Sequence, residues 1–196
     1  MTGIGRQDQR PSARRPRERL SRVDWLEAGQ AVLIAQGIKG LRLANLTRHL
    51  GVSIGSFYHH FHDMEAFLGA LADHYSTGVI DRLIEEICAV ERDPIERLKQ
   101  LYLKTETRGL LRLDAAMRNL AMIEPRAAAA MARSEGKIMD FMTDALIEAG
   151  FDKDAARARA FAMLSIEVSA IMSLQADDIR DLRRRVFLVL TKPSVE

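Results

Sequence analysis

The sequence predicts an all-α fold of about nine helices, because apolar residues recur with the helical period along most of the chain. No stretch alternates with a period of two over a useful length, so no sheet is expected. Hydrophobic residues make up 47% of the 196 residues, which is enough to bury a core. No run of 18 or more apolar residues occurs, so neither a membrane span nor a membrane partner is expected.

Residues 1–20 are predicted to form a disordered, arginine-rich tail, because arginine is interspersed there with proline, serine and glycine. The stretch lacks the apolar region of a secretory signal. Residues 1–62 carry a net charge of +6 and residues 63–196 a net charge of −4. This asymmetry suggests that the N-terminal third contacts a polyanion, although such tails are often simply solvated. The single cysteine, Cys88, fits a reducing cytoplasm, which is the expected location.

Three short helices are predicted within residues 21–67. Apolar residues from Trp25 onward form one broad helical stripe, and that helix ends at Gly37. The second helix runs from about Leu43 to Leu50. Ser53 can cap the third helix, which runs to about Phe61.

Start signals predict the helices of a second domain, residues 68–196. Asp63 is predicted to cap the N-terminus of a long helix that reaches about Cys88. The segment Asp93-Pro94-Ile95-Glu96 supplies an acidic cap, a proline at the first helical position and a glutamate near a capping-box position, and its helix runs to about Gly109. The later start signals lie at Glu124-Pro125, at Asp152, and at Asp177 or Asp178, with ends at Gly150, about Ala176 and before Pro193.

Residues 43–61 have the layout of a helix-turn-helix, in which the second of two short helices enters the major groove of DNA. Gly51 can adopt a positive φ in the turn, and Val52 can fill the space between the helices. Phe57 and Phe61 are four residues apart and can face the core together. The opposite face then presents Gly55, Ser56 and His59 to DNA, while Tyr58 can bind a phosphate oxygen.

This part of the chain resembles the tetracycline-repressor (TetR) family of bacterial transcription regulators over about residues 22–68. The resemblance rests on Trp25-Leu26-Glu27-Ala28-Gly29, Gly51-Val52-Ser53, Gly55-Ser56-Phe57-Tyr58 and His60-Phe61. It implies a homeodomain-like, three-helix DNA-binding domain, a C-terminal helical domain for ligand binding and dimerisation, and a homodimer.

Three residues depart from the family pattern. Arg42 stands where the family has a small hydroxyl residue, and Thr47 stands where it has alanine. Met64 replaces a lysine that contacts phosphate in the family, and the arginine-rich tail is expected to compensate by reaching the adjacent minor groove. The predicted DNA-binding residues are Arg42, Thr47, Ser53, Ile54, Gly55, Ser56, Tyr58, His59 and His62.

Many methionines in the second domain suit an adaptable apolar pocket, although ordinary core filling explains any single one equally well. Arg108, Arg112 and Arg118 could bind an anionic effector or remain solvated. The predicted ligand-binding residues are Phe67, Leu71, Tyr75, Met117, Met122, Met139, Met142 and Met163.

The last two helices carry large apolar residues together with small ones that allow close packing, a pattern that suits a four-helix dimer interface or internal packing. The family resemblance and the two-fold symmetry of DNA half-sites favour the dimer. The predicted dimer residues are Phe161, Leu164, Val168, Met172, Val186 and Leu190.

The sequence therefore predicts a ligand-responsive repressor that acts as a homodimer on a near-palindromic operator in double-stranded DNA, with an unknown small-molecule effector. The histidines His59, His60 and His62 point in different directions around one helix end, so no metal is expected, and no cofactor is expected either. No phosphate loop, nucleophile elbow or paired-carboxylate motif occurs, so an enzyme is not expected. The alternatives are a helical interaction module that has lost DNA binding and a small-molecule enzyme in a helical body.

Overall fold

The computed structural model describes residues 20–168 and 176–192, and no strand occurs within those ranges. The prediction of an all-α fold is therefore confirmed for them. A 3-10 turn (Ile38–Gly40) and a π-helical segment (His74–Asp81) accompany ten α-helical stretches. These are α1 (Arg22–Gln36), α2 (Leu43–Leu50), α3 (Ile54–Tyr58), α4 (Met64–Asp73), α5 (Arg82–Val90), α6 (Pro94–Thr107), α7 (Leu110–Ala121), α8 (Pro125–Glu148), α9 (Lys153–Val168) and α10 (Ala176–Leu190). Because the π-helical segment joins α4 and α5 without a break, the described chain forms nine separate helices.

The cap residues fix most of the helix starts where the sequence places them. Asp63 accepts a hydrogen bond at 2.7 Å from the backbone N–H of Ala66 and so caps α4. Asp93 caps α6 by accepting from the N–H of Glu96 at 2.9 Å. Asp152 does the same for the first turn of α9, where Ala155 is one of the donors at 2.9 Å.

Two boundaries differ from the predictions, and a third is not tested. The third helix ends at Tyr58 instead of Phe61, and α10 begins at Ala176, before either predicted aspartate. Residues 169–175 lie outside the described part, so α9 is described only to Val168 and its predicted end near Ala176 is not tested. None of the helices in the described ranges combines the length and the apolar character that crossing a membrane requires.

Two apolar cores hold the helices together. The first core joins α1, α2 and α3 to α4, α7 and α8, and it includes Trp25, Phe67 and Met117. The second core lies among α5, α6, α8 and α9, around Ile87 and Leu146. The predicted domain boundary after residue 67 falls inside α4, and the first core extends across it.

Helix α1 approaches α4 so closely that only a glycine fits at position 29. A Cβ atom on Gly29 would lie 2.7 Å from Cζ of Phe67, whose side chain is fully buried. By contrast, a Cβ atom on Gly136 of α8 would meet no atom within 4 Å.

We expect Gly29→Ala to lower the free energy of unfolding by about 1–3 kcal/mol, since the buried Phe67 ring has no free space to move into. The matched control Gly136→Ala should raise it by about 0.5–1 kcal/mol, because alanine is the better helix former. Urea unfolding followed by circular dichroism measures both values. Equal effects of the two substitutions would show that α1 and α4 are not in tight contact.

Candidate nucleic-acid interface and effector cavity

The aromatic side chain of Phe57 positions α3, the candidate recognition helix. Helix α3 has only five residues, so it depends on tertiary contacts for its stability. The Phe57 ring is fully buried, with centroids 5.4 Å from Trp25 of α1, 5.4 Å from Phe61 and 5.7 Å from Phe67 of α4. The edge-to-face and tilted geometries of these pairs are favourable for aromatic rings. The orientation of α3 is thus set by α1 and α4 together.

The opposite face of α3 is open to solvent. Ile54 and Tyr58 retain 54% and 58% of their surface, and Gly55 and His59 are also exposed. Ser56 is half-buried. The face offers an apolar group, a phenol and an imidazole, which can contact thymine methyl groups, phosphates and base edges.

Ser53 is exposed at the cap position of α3, but its side chain makes no hydrogen bond to the helix. The prediction that its hydroxyl caps α3 is therefore wrong. The first N–H groups of the helix are left for other acceptors, and phosphate oxygens are suitable ones.

The three departures from the family pattern have different structural consequences. Arg42 is exposed at the start of α2 and makes no capping bond. Thr47 is only 8% exposed, and its hydroxyl donates to the carbonyl oxygen of Ala44 at 3.2 Å, so the predicted phosphate contact of Thr47 is not supported. Met64 packs against the first core, so the position normally held by lysine contributes apolar contact here.

His62 lies beside the start of α4, with 92% of its side chain exposed. Its Nδ1 is 2.9 Å from a carboxylate oxygen of Asp63. Residues 20–67 contain four arginine or lysine residues and four acidic ones, so this part of the chain has no net charge when histidine is neutral. Of the net charge of +6 on residues 1–62, residues 1–19 contribute +4, and they lie outside the described part.

A second candidate site is an apolar cavity in the body of the molecule. Its volume is about 80 Å³, so a ligand of ordinary size has to widen it on binding. The lining residues come from the continuous helix of α4 and α5 and from α6 to α10. Three predicted ligand-binding residues line it: Tyr75, Met142 and Met163.

The other five predicted ligand-binding residues lie elsewhere. Phe67, Leu71 and Met117 are fully buried in the first core, where they hold α1, α2 and α3 to the body. Met139 packs against the second core. Met122 is 83% exposed at the end of α7, so it cannot take part in an enclosed pocket.

A chain of polar groups runs from the cavity wall into the body. The hydroxyl of Tyr75 donates to Asp114 at 2.8 Å, and Asp114 also accepts from Nε of Arg118 at 2.7 Å. Arg118 further binds Glu135. Burial and the neighbouring Asp114 carboxylate raise the pKa of Tyr75, so its hydroxyl remains a neutral donor.

Two of the arginines considered for an anionic effector already have acidic partners. Arg118 binds Asp114 and Glu135, and Arg108 binds Glu86 at 2.5 Å. Arg112 lies in a shallow groove between α1 and α7. No cluster of histidine, cysteine and acidic residues suited to a metal ion occurs in residues 20–168 and 176–192.

The sequence missed the polar residues that line the cavity. Tyr102, Asp114, Glu167 and Arg183 all face it. A single acid in the otherwise apolar or small stretch from Phe161 to Val168 is a signal that could have identified Glu167.

The predicted dimer residues divide into two groups. Phe161 and Val168 are exposed on α9, and Val168 also lines the cavity. Leu164 and Val186 line the cavity and Leu190 packs on the second core, while Met172 lies outside the described residues. Helix α10 adds exposed apolar side chains that the sequence did not single out: Leu182, Leu188 and Val189.

Comparisons with known sequences agree with the geometry of the N-terminal helices. Residues 26–71 match the family described as "Bacterial regulatory proteins, tetR family". Over 88 residues the chain is 30% identical to the HTH-type transcriptional repressor NemR of Escherichia coli strain K12. The match covers 45% of this chain and 44% of that relative, so it spans less than half the length of the curated protein.

Solved structures show the same fold over most of the chain. The reduced form of Escherichia coli NemR has a TM-score of 0.67 at 21% identity, covering 89% of this chain and 99% of that one. A putative TetR-family regulator from Rhodococcus sp. has a TM-score of 0.65 at 20% identity, covering 87% and 98%. The regulator FadR from Bacillus subtilis, in complex with stearoyl-CoA, has a TM-score of 0.57 at 20% identity, covering 88% and 98%.

Truncation of two adjacent residues of α3 should affect the free energy of unfolding to very different extents. Phe57→Ala is expected to lower the free energy of unfolding by about 3–5 kcal/mol, because it leaves a cavity at the centre of the aromatic contacts. Tyr58→Ala should change it by less than about 0.5 kcal/mol, because the Tyr58 side chain is largely solvated. Urea unfolding of both variants tests this, and a large loss for Tyr58→Ala would contradict the placement of α3.

Proposed function

We propose that the chain is a TetR-family transcriptional repressor that a small-molecule effector releases from DNA, since residues 26–71 match that family and the fold is that of a solved TetR-family regulator. The observation that carries the proposal is the exposed face of α3, held rigidly from behind by Phe57. On DNA, Ile54 packs against thymine methyl groups in the major groove, and Tyr58 donates to a phosphate oxygen. Gly55 allows the backbone to approach closely, and His59 reaches base edges or phosphates.

The regions flanking α3 bind phosphate. Arg42 at the start of α2 and the free N–H groups behind Ser53 are suited to this role, and His62 extends the surface beside α4. The arginines of residues 1–19 supply the positive charge that residues 20–67 lack.

The protein acts as a homodimer, so that two copies of α3 meet two half-sites of a near-palindromic operator. The exposed apolar side chains of α9 and α10 support an interface at these helices, since unpaired apolar patches of this kind mark protein contacts. Phe161, Val168 and Leu188 are its central residues. A regulator of genes works beside its DNA, which places the protein in the cytoplasm.

The effector binds in the cavity and acts through the continuous helix of α4 and α5. One end of this helix carries Phe67, which contacts Phe57, and its middle carries Tyr75, which lines the cavity. A ligand that displaces Tyr75 from Asp114 tilts α4 and moves α3 with it. A coupling of about 1–3 kcal/mol is sufficient for regulation. The complex of the structurally similar FadR with stearoyl-CoA supports a ligand-holding role for this fold.

We expect Tyr58→Ala to weaken operator binding about 10–100-fold, because a hydrogen bond to a charged phosphate contributes about 1.5–3 kcal/mol. The DNA to test first is the region just upstream of the protein's own coding sequence. Fluorescence anisotropy at several salt concentrations gives the affinity and its salt dependence.

Two control variants sharpen this experiment. Tyr58→Phe removes only the hydroxyl and should reproduce most of the loss. Thr47→Val should bind DNA within about twofold of the unchanged protein, since the Thr47 hydroxyl is buried and occupied. Unchanged DNA binding by Tyr58→Ala, or no DNA binding by the unchanged protein at low salt, would overturn the proposal.

Deleting residues 2–19 should weaken DNA binding and reduce its salt dependence. This segment carries six arginines and two acidic residues. The slope of log affinity against log salt is expected to fall by about 2–4, because each phosphate contact contributes close to one counterion. An unchanged slope would show that the tail does not contact DNA.

A further inference from the structure

The polar side chains of the cavity carry more negative than positive charge. Three charged residues line it: Asp114, Glu167 and Arg183. Asp114 is satisfied by Tyr75 and Arg118, as described above. The remaining pair, Glu167 and Arg183, therefore determines which polar group of a ligand the cavity can bind.

Glu167 is poorly satisfied within the protein. Its side chain is 20% exposed, and its nearest charged partner is Nε of Arg183, at 3.9 Å from a carboxylate oxygen. That distance is too long for a hydrogen bond, and no described residue donates one to the carboxylate. Burial raises the pKa of Glu167 despite the nearby charge of Arg183. The attraction of Arg183 therefore does not fully offset the cost of burying the ionised carboxylate.

Arg183 is less suited to receive an anion. Its Nη2 donates to the carbonyl oxygens of Glu167 at 3.2 Å and Ile166 at 3.5 Å. Its Nε is buried without a hydrogen bond and lies near the Glu167 carboxylate, which would repel an incoming anion. An ammonium ion also meets the charge of Arg183, but it supplies the hydrogen bonds that the Glu167 carboxylate lacks.

Tyr102 adds a second group for such a ligand. It lines the cavity near Glu167, and its hydroxyl makes no hydrogen bond to a described residue. Thr105 lies one turn after Tyr102, and its hydroxyl donates to the carbonyl oxygen of Leu101 at 2.7 Å. The hydroxyl oxygen of Thr105 can therefore still accept a hydrogen bond. The rest of the lining is almost entirely apolar, with leucine, isoleucine, valine and methionine predominating.

We propose that this cavity, which the proposed function assigns to the effector, selects apolar molecules that carry a protonated amine, with Glu167 as the acceptor of the ammonium. The inference rests on the proposed function and names the ligand class of the same site.

The test compares three probes of equal chain length: n-octylammonium, n-octanol and n-octanoate. Isothermal titration calorimetry on the full chain at pH 7.5 gives their affinities. Octylammonium is expected to bind at least tenfold more tightly than octanoate. Glu167→Gln should weaken octylammonium binding about tenfold and leave octanol within twofold. The control Glu85→Gln, at an exposed position of α5, should leave all three affinities unchanged.

Tighter binding of octanoate, no binding of any probe, or an amine preference that survives Glu167→Gln would each overturn the inference. The preference of the unchanged protein decides the question even if Glu167→Gln does not fold. Operator binding is measured in parallel by anisotropy. If the protein binds DNA but does not prefer octylammonium, only the proposed ligand class is wrong. If the protein does not bind DNA, the result counts against the proposed function itself.

Discussion

The contact of Phe57 with Trp25, Phe61 and Phe67 is the interaction on which the candidate DNA-binding surface depends. A five-residue helix gains little from its own hydrogen bonds, so its position must be imposed from outside. Three aromatic rings around Phe57 do this: Trp25 from α1, Phe61 from the turn after α3, and Phe67 from α4. Since packed aromatic cores do not deform gradually, α3 moves with α4 or does not move. The glycine at position 29 belongs to the same constraint, because it lets α1 approach the Phe67 ring.

The helix of α4 and α5 connects this surface to the cavity without interruption. Its π-helical segment lies between them, and π-helical turns are often found at functional positions. Helix α8 binds that region through two ion pairs: Arg133 with Asp73 at 2.8 Å and Lys137 with Asp81 at 2.5 Å. Tyr75 binds Asp114 of α7 from the same segment. The segment is thus held on one side by charges and on another by a hydrogen bond that faces the cavity.

Local signals predicted most of the fold, and tertiary contacts account for what they missed. Asp63, Asp93 and Asp152 act as caps because capping needs only the neighbouring backbone. Helix α7 has no such signal, since it begins after Gly109, which has a φ of 66° and no capping side chain. Nothing in a local pattern distinguishes Ser53 in this structure from a serine that does cap.

The site residues follow the same division. The outward face of α3 could be predicted, because its period is fixed once Phe57 and Phe61 are taken as core. Thr47 and the methionines could not be placed, since their environment depends on which helices pack against them. Met117 and Met163 both lie within helices, but they belong to different cores. The polar residues of the cavity come from separate helices and converge only in three dimensions.

The first core also limits how freely this protein can exchange parts with its relatives. Met117 and Leu120 of α7 belong to the same core as Trp25 and Phe67. The core of the N-terminal helices is therefore built partly from residues of the body. A chimera joined at residue 67 would carry one half of this core from each parent, and mismatched shapes would leave voids or overlaps there. A stable chimera therefore requires that the junction residues of α1, α4 and α7 be inherited as one unit. The N-terminal helices and the body of this protein meet at a shared packing surface, so no single position in the sequence separates them.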